Sequence, residues 1–210
     1  MTNPNDAVGT NGAYEGRTSV NAFNDVMGGL TRGVLSGWAC SPSAGMTIQL
    51  GGDGTSRDVA IAEDNAGNKT SINNISEAPI EVTLSAAPAT GSRIDAIVAY
   101  VDNPPQGDAA QVDNFAACGL IAVSGTAANN PVIPTDGIIR TAITGDGANG
   151  ATAYYVILAT VRVGTNVTTI GSGVITQGAN AQISSDKIDF ATFKVGTPVS
   201  LGWTGAGSQS

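Results

Sequence analysis

Apolar residues enter this sequence in short runs of valine, isoleucine and alanine, each soon closed by glycine, asparagine or proline. That rhythm constrains the fold more than any other feature. β-Branched residues suit a pleated, half-buried surface, and short runs between turn formers have the length of strands rather than helices. Charged residues make up 12% of the chain, about half the usual share for a soluble domain. Exposed helical faces normally carry Lys and Glu, and this chain lacks enough of either. The expectation is an all-β fold: an antiparallel β-sandwich-like domain with extended N- and C-terminal arms.

A chain of 210 residues suits one large β-domain or two small ones and buries roughly 70% of its unfolded surface, enough for a core without metals or crosslinks. The sequence divides into an N-terminal arm with a short helix at 1–29, a sandwich core at 30–177, and C-terminal strands and tail at 178–210. A sub-boundary falls near 125–137, where Asn130-Pro131 and Ile133-Pro134 interrupt the pattern.

Within the core the expected strands are 34–39, 46–50, 58–63, 80–85, 94–101, 115–123, 153–163 and 167–175. The Asp53-Gly54 step suggests a tight hairpin pairing 46–50 with 58–63. Residues 94–101 are apolar on both faces apart from Asp95, the mark of a central strand covered on both sides. Residues 138–143 read either as a strand or as a short helix capped by Thr135 or Asp136.

The sequence contains no histidine, which removes Ser-His-Asp and Cys-His catalysis and histidine-containing zinc sites. Two cysteines cannot complete a four-cysteine site. Cys40 and Cys118 both lie beside apolar residues and read as small buried side chains, left unbridged in a cytoplasmic setting. Paired carboxylates survive as an enzymatic option, with Glu63-Asp64 and Asp95 with Asp102 as candidates. Glu63-Asp64 precedes Asn65-Ala66-Gly67-Asn68, a solvated turn, and scarce aromatics leave little platform for a sugar. Asp53, Asp58, Glu63 and Asp64 offer oxygen ligands for calcium, but their spacing matches no EF-hand. No catalytic, cofactor or metal site is therefore expected, and the chain does not read as an enzyme.

Arg93 and Asp95 lie two apart, so on a strand they share a face and form a structural salt bridge. The formal charge of −8, with no basic cluster, argues against nucleic acid and anionic membranes as partners. The polar N-terminus carries no signal peptide and no run is long enough to span a membrane, so synthesis in a cytoplasm is expected. Tyr14, Phe190, Phe193 and Trp203 lie outside the core pattern and are the expected subunit contacts.

Two segments carry a resemblance. Ser92-Arg93-Ile94-Asp95-Ala96-Ile97-Val98-Ala99-Tyr100-Val101-Asp102 resembles a motif in tail and baseplate proteins of phages infecting Gram-positive bacteria, where Arg-x-Asp opens a buried strand ending in an acidic turn. Residues 153–163, followed by Thr168-Thr169-Ile170 and Val174-Ile175-Thr176, are similar to the closing strand pair of that group, and Leu35-Ser36-Gly37 with Met46-Thr47-Ile48 to its opening strands. The likeness is one of strand spacing over about residues 30–177. It implies the N-terminal β-module of a baseplate, tail-fibre or receptor-binding subunit, often trimeric. Gln177-Gly178-Ala179-Asn180 departs from the acidic and basic pair usual after the last strand, and a receptor-binding head is not expected in so short a continuation.

The resulting expectation is a structural virion protein of a bacteriophage, assembled in the host cytoplasm. It acts as a tail, baseplate or fibre assembly subunit, with itself, as a homotrimer, and other virion proteins as partners and no cofactor. The alternatives are a head fibre or capsid decoration protein, a module binding host cell-wall glycan and, remotely, a glycan-cleaving enzyme.

Overall fold

The computed structural model describes residues 29–52, 57–74, 78–102, 118–145 and 150–182. Ten strands run in the order β1 (Gly33–Ser36), β2 (Cys40–Pro42), β3 (Thr47–Leu50), β4 (Asp58–Glu63), β5 (Lys69–Asn74), β6 (Ile80–Thr83), β7 (Arg93–Asp102), β8 (Cys118–Val123), β9 (Ala153–Val163) and β10 (Ile175–Gln177). Helix α1 (Asp136–Gly145) lies between β8 and β9, and a 3₁₀ turn (Ser172–Val174) leads into β10. The fold is all-β and sandwich-like, as its composition leads one to expect.

Two antiparallel sheets pack face to face. The larger has seven strands in the order β1-β4-β9-β7-β8, with β5 beside β4 and β10 beside β9; the smaller is β2-β3-β6. Sandwiched between them are Trp38, Cys40, Ile48, Leu50, Val82 and Leu84 on one side and Ala60, Ala62, Ile97, Ala99 and Leu158 on the other. The far face of the larger sheet forms a second core, in which Ala96, Val98, Tyr100 and Tyr155 pack against Ile139 and Ile143 of α1. Strand β7 is thus covered on both faces. Each large side chain so buried contributes about 1.5–3 kcal/mol.

The helical alternative for 138–143 holds because Ile139 and Ile143 are one turn apart and both buried. Asp136 occupies the first turn, where a carboxylate favours the helix dipole. Strand β9 shows why its sequence reads as apolar throughout. A bulge opposite Ile97 and Val98 moves the pairing from Ala159 to Ile157. The inward set therefore changes from Val156 and Leu158 to Ala159, Val161 and Val163. One extra residue reverses the alternation.

Four expectations are corrected. First, 46–50 and 58–63 do not pair; β3 lies between β2 and β6, while β4 joins the other sheet beside β1 and β5. Gly51 and Gly52 take φ of 64° and 67°, turning the chain out of its sheet. A Cβ at Gly51 would meet Asp58 Oδ2, and one at Gly52 would meet the Pro79 backbone. Second, 34–39 is not one strand: Gly37 and Trp38 break it, and the chain crosses from the larger sheet to the smaller. Third, 167–175 is not a strand: only Ile175 enters β10, and Ile170 N donates to Gly45 O, binding the preceding stretch to the turn before β3. Fourth, β5 was not foreseen.

The chain that follows β10 also binds the core. Val34 N donates to Ala179 O and Ala181 N to Val34 O, so residues 179–181 run alongside β1. Thr31 and Gln182 are joined by backbone and side-chain hydrogen bonds. Among the described residues no helix is long and apolar enough to cross a membrane.

Candidate functional site

The acidic candidates are spoken for one by one. Asp58 is buried, and its carboxylate accepts from Trp38 N (2.7 Å), Gly52 N (3.1 Å) and Asn74 Nδ2 (2.8 Å). These donors come from the β1–β2 crossing, the exit of β3 and strand β5, so one carboxylate fastens three segments. Trp38 is 3% exposed with φ of 54°, a left-handed conformation costing about 1–2 kcal/mol that the Asp58 contact and indole burial offset. Its indole Nε1 is buried and has no hydrogen-bond partner among the described residues.

Glu63 pairs with Lys69 across the β4–β5 turn at 2.8 Å. Asp64 accepts from the backbones of Ala66 and Asn68 inside that turn. Burial alone would raise its pKa, but the hydrogen bonds from Asn68 and Ala66 hold it below the usual carboxylate range. Asp53 and the Asp102 side chain lie outside what is described. Among the described residues no group of three or more potential ligands is placed to hold a metal ion.

Arg93 and Asp95 meet on the inter-sheet face of β7, with Arg93 Nε 2.8 Å from Asp95 Oδ1 and Nη2 3.1 Å from Oδ2. Arg93 also donates to the carbonyls of Ser85 and Ala86, at 2.7 and 2.6 Å, and Asp95 accepts from Gly125 N at 3.1 Å. The pair therefore ties the chain after β6 and the chain after β8 to the end of β7. Its work is structural. Tyr14, Phe190, Phe193 and Trp203, the expected subunit contacts, lie outside the described residues.

A second polar cluster was not singled out from the sequence, although Asp136 and Arg140 have the helical i,i+4 spacing that signals a pair. Arg140 Nε donates to Asp136 Oδ2 at 2.9 Å, and Arg140 Nη1 reaches the carbonyls of Gly150 and Ala153 at 3.0 Å. The Tyr155 hydroxyl donates to Asp136 Oδ1 at 2.6 Å. Burial opposes ionisation of Asp136, but the bonds from Tyr155 and Arg140 outweigh it and keep the carboxyl below its ordinary value. Burial, then the bond to Asp136, raises Tyr155. The Arg32 guanidinium lies 4.4 Å from the centre of the Tyr155 ring and that of Arg140 5.0 Å.

The third feature is a surface. The outer strands of the larger sheet differ sharply. Strand β5 carries Lys69 and is otherwise polar except for Ile72, whereas β8 reads Cys-Gly-Leu-Ile-Ala-Val with no charge and no proline. Among the described residues nothing pairs with the outer edge of β8. Beside it a cleft of about 620 Å³ runs between Ala122 and Val123 of β8 and Gly137, Ile138 and Thr141 of α1. Ile138 is 44% exposed, and Val132 and Ile133, just before the helix, are 71% and 46% exposed.

The two thiols differ, which corrects the expectation that both are buried. Cys40 is buried, and burial pushes its pKa up to about 11, whereas Cys118 is exposed at the start of β8; neither is bridged. Iodoacetamide at about pH 8 should therefore modify one thiol per native chain, at Cys118, and two only after unfolding. Mass spectrometry of the intact chain reads the count, and native labelling of Cys40 would contradict its placement.

Comparison with known proteins gives no match: no family model fits the chain, and neither a curated protein nor a solved structure is similar to it.

Proposed function

We propose that this chain is a structural subunit of a bacteriophage virion, a tail, baseplate or fibre assembly component that functions by joining copies of itself. The observation that carries the reading is the contrast between the two outer strands. An unpaired edge presents a row of backbone donors and acceptors, and monomeric proteins blunt such edges with charge, proline or cover. Strand β8 has neither charge nor proline, and the cleft beside it continues the same uncharged surface onto Ile138.

A second copy of the chain is the occupant argued for here. A surface without charge opposes no like-charged sibling, even though each chain carries a formal −8. Main-chain pairing along β8 supplies affinity, and Ile138 with its neighbours supplies the apolar contact that fixes register. The phage assignment rests on the resemblance of residues 92–102 and 153–163. The homo-oligomer rests on the edge.

Native mass spectrometry of the full chain at about 10 μM, a concentration suited to standard-sized interfaces, should report an oligomer, with a trimer the form the resemblance implies. The variant Cys118→Lys/Ile138→Lys places charge on the edge and in the cleft, both at exposed positions. It should shift the protein to monomer while leaving its far-ultraviolet circular dichroism unchanged. A wild-type monomer at about 100 μM, or a variant as oligomeric as the wild type, would remove the reading.

A further inference from the structure

Between the entry to β1, strand β9 and the chain leaving β10, the larger sheet opens a second cavity, of about 320 Å³, distinct from the cleft beside β8. Its apolar walls are Ile133, Val156 and Ile157, and its polar lining includes Arg32, Thr160 and Thr176. We propose that this cavity binds a carboxylate, with Arg32 as the cation that receives it and the Thr160 and Thr176 hydroxyls as further donors.

The cation comes first. Asp136 is hydrogen-bonded by Arg140 and Tyr155, and Arg32, although its charge acts on Asp136 from a distance, forms no salt bridge with a carboxylate among the described residues. Asp64 lies within charge range of Arg140, so the corner as a whole is near neutral, and the incoming carboxylate is received by Arg32 alone. Arg32 is half-buried, so its charge is only partly relieved by water.

Pre-organisation comes second. The guanidinium is stacked 4.4 Å from the Tyr155 ring centre, and Tyr155 is itself fixed by its bond to Asp136. A planar fork held this way loses little freedom when it accepts a carboxylate. The hydroxyls come third. Thr160 and Thr176 are cross-strand partners of β9 and β10, and neither hydroxyl has a protein partner among the described residues. The volume lies at the lower end of small-ligand sites, and a mostly apolar wall with a few convergent polar groups is the usual composition of one.

The ligand is thus a monocarboxylate with a small body, and two sources share that chemistry: a sugar acid and the free C-terminus of a peptide. The full chain, labelled with ¹⁵N, is titrated with glucuronate and with acetyl-Ala-Ala. Methyl glucoside and acetyl-Ala-Ala-amide serve as uncharged counterparts. Saturable shifts of the Arg32, Thr160 and Thr176 amides with a carboxylate, and none with its uncharged counterpart, are expected. The member of the pair that binds more tightly identifies the source.

Arg32→Gln should weaken binding about tenfold or more, the worth of one charge-assisted contact. Thr176→Val, on an exposed strand position that leaves the stacked arginine in place, should weaken it about threefold while the protein's spectrum stays folded. No saturable binding of either carboxylate would overturn the proposal. Equal binding of charged and uncharged forms, or affinity unchanged in Arg32→Gln, would overturn it as well. None of these outcomes bears on whether β8 joins subunits.

Discussion

Arg93→Ala should lower the unfolding free energy by about 3–5 kcal/mol, because it strands a buried carboxylate. Asp95 is fully buried on the inter-sheet face, and without Arg93 it keeps the Gly125 amide but loses its counter-charge. The carbonyls of Ser85 and Ala86 lose their donor in the same substitution. For a domain of this size each kcal/mol moves the melting midpoint by about 2–4 °C, so a fall of roughly 10 °C is expected.

The double variant Arg93→Met/Asp95→Leu separates the two sources of that loss. Removing both charges relieves the desolvation penalty, so it should be more stable than Arg93→Ala by about 1–3 kcal/mol. Urea unfolding followed by circular dichroism measures all three chains. If the double variant is the least stable of the set, the ion pair is more than a balanced clamp and the account given of it is wrong.

The second large effect is expected at Asp58. Asp58→Ala removes the acceptor for two backbone amides and the Asn74 side chain, at a cost of about 3–5 kcal/mol. Asp58→Asn is the sharper test. Its shape is conserved, yet one carboxylate oxygen becomes an amide that faces donors on either side. About 2 kcal/mol or more should still be lost. A thermal midpoint within about 2 °C of wild type for Asp58→Ala would show that Trp38 and Gly52 hold their left-handed conformations without it.

These two residues also show where the sequence could be read and where it could not. The pairing of Arg93 with Asp95 follows from strand geometry alone, since positions two apart share a face. Asp58 looked like loop acidity, because nothing local announces that its partners lie 20 residues before it and 16 after. Residues 58–63 and 153–163 were legible as strands with their observed limits, the second because eleven consecutive positions fit no turn. The partner of 58–63 was not legible. A glycine-rich stretch after Leu50 serves equally as a tight hairpin or as an exit from the sheet, and only the clasp on Asp58 decides.

Strand β5 escaped notice for the opposite reason. Lys-Thr-Ser-Ile-Asn-Asn has no apolar alternation, as an outer strand facing water does not need one. The helix could be narrowed to two alternatives but not chosen, because Ile139 and Ile143 gain their meaning from the sheet beneath them. The Arg32–Tyr155 stack joins residues far apart in the chain, so only the i,i+4 spacing of Asp136 and Arg140 hinted at that corner.

The centre of the larger sheet is β9, which comes later in the chain than every strand beside it except β10, and residues 179–181 close against the first strand of the core. A ribosome delivers those pieces after most of the strands they join. Until β9 emerges, β4 pairs with β1 and β5 and β7 with β8, but the edge of β7 that β9 covers stays open, and open strand edges are where nascent chains cross-pair. The larger sheet therefore cannot close before Val163 has left the ribosome. That edge of β7 is where neighbouring nascent chains on a polysome can cross-pair.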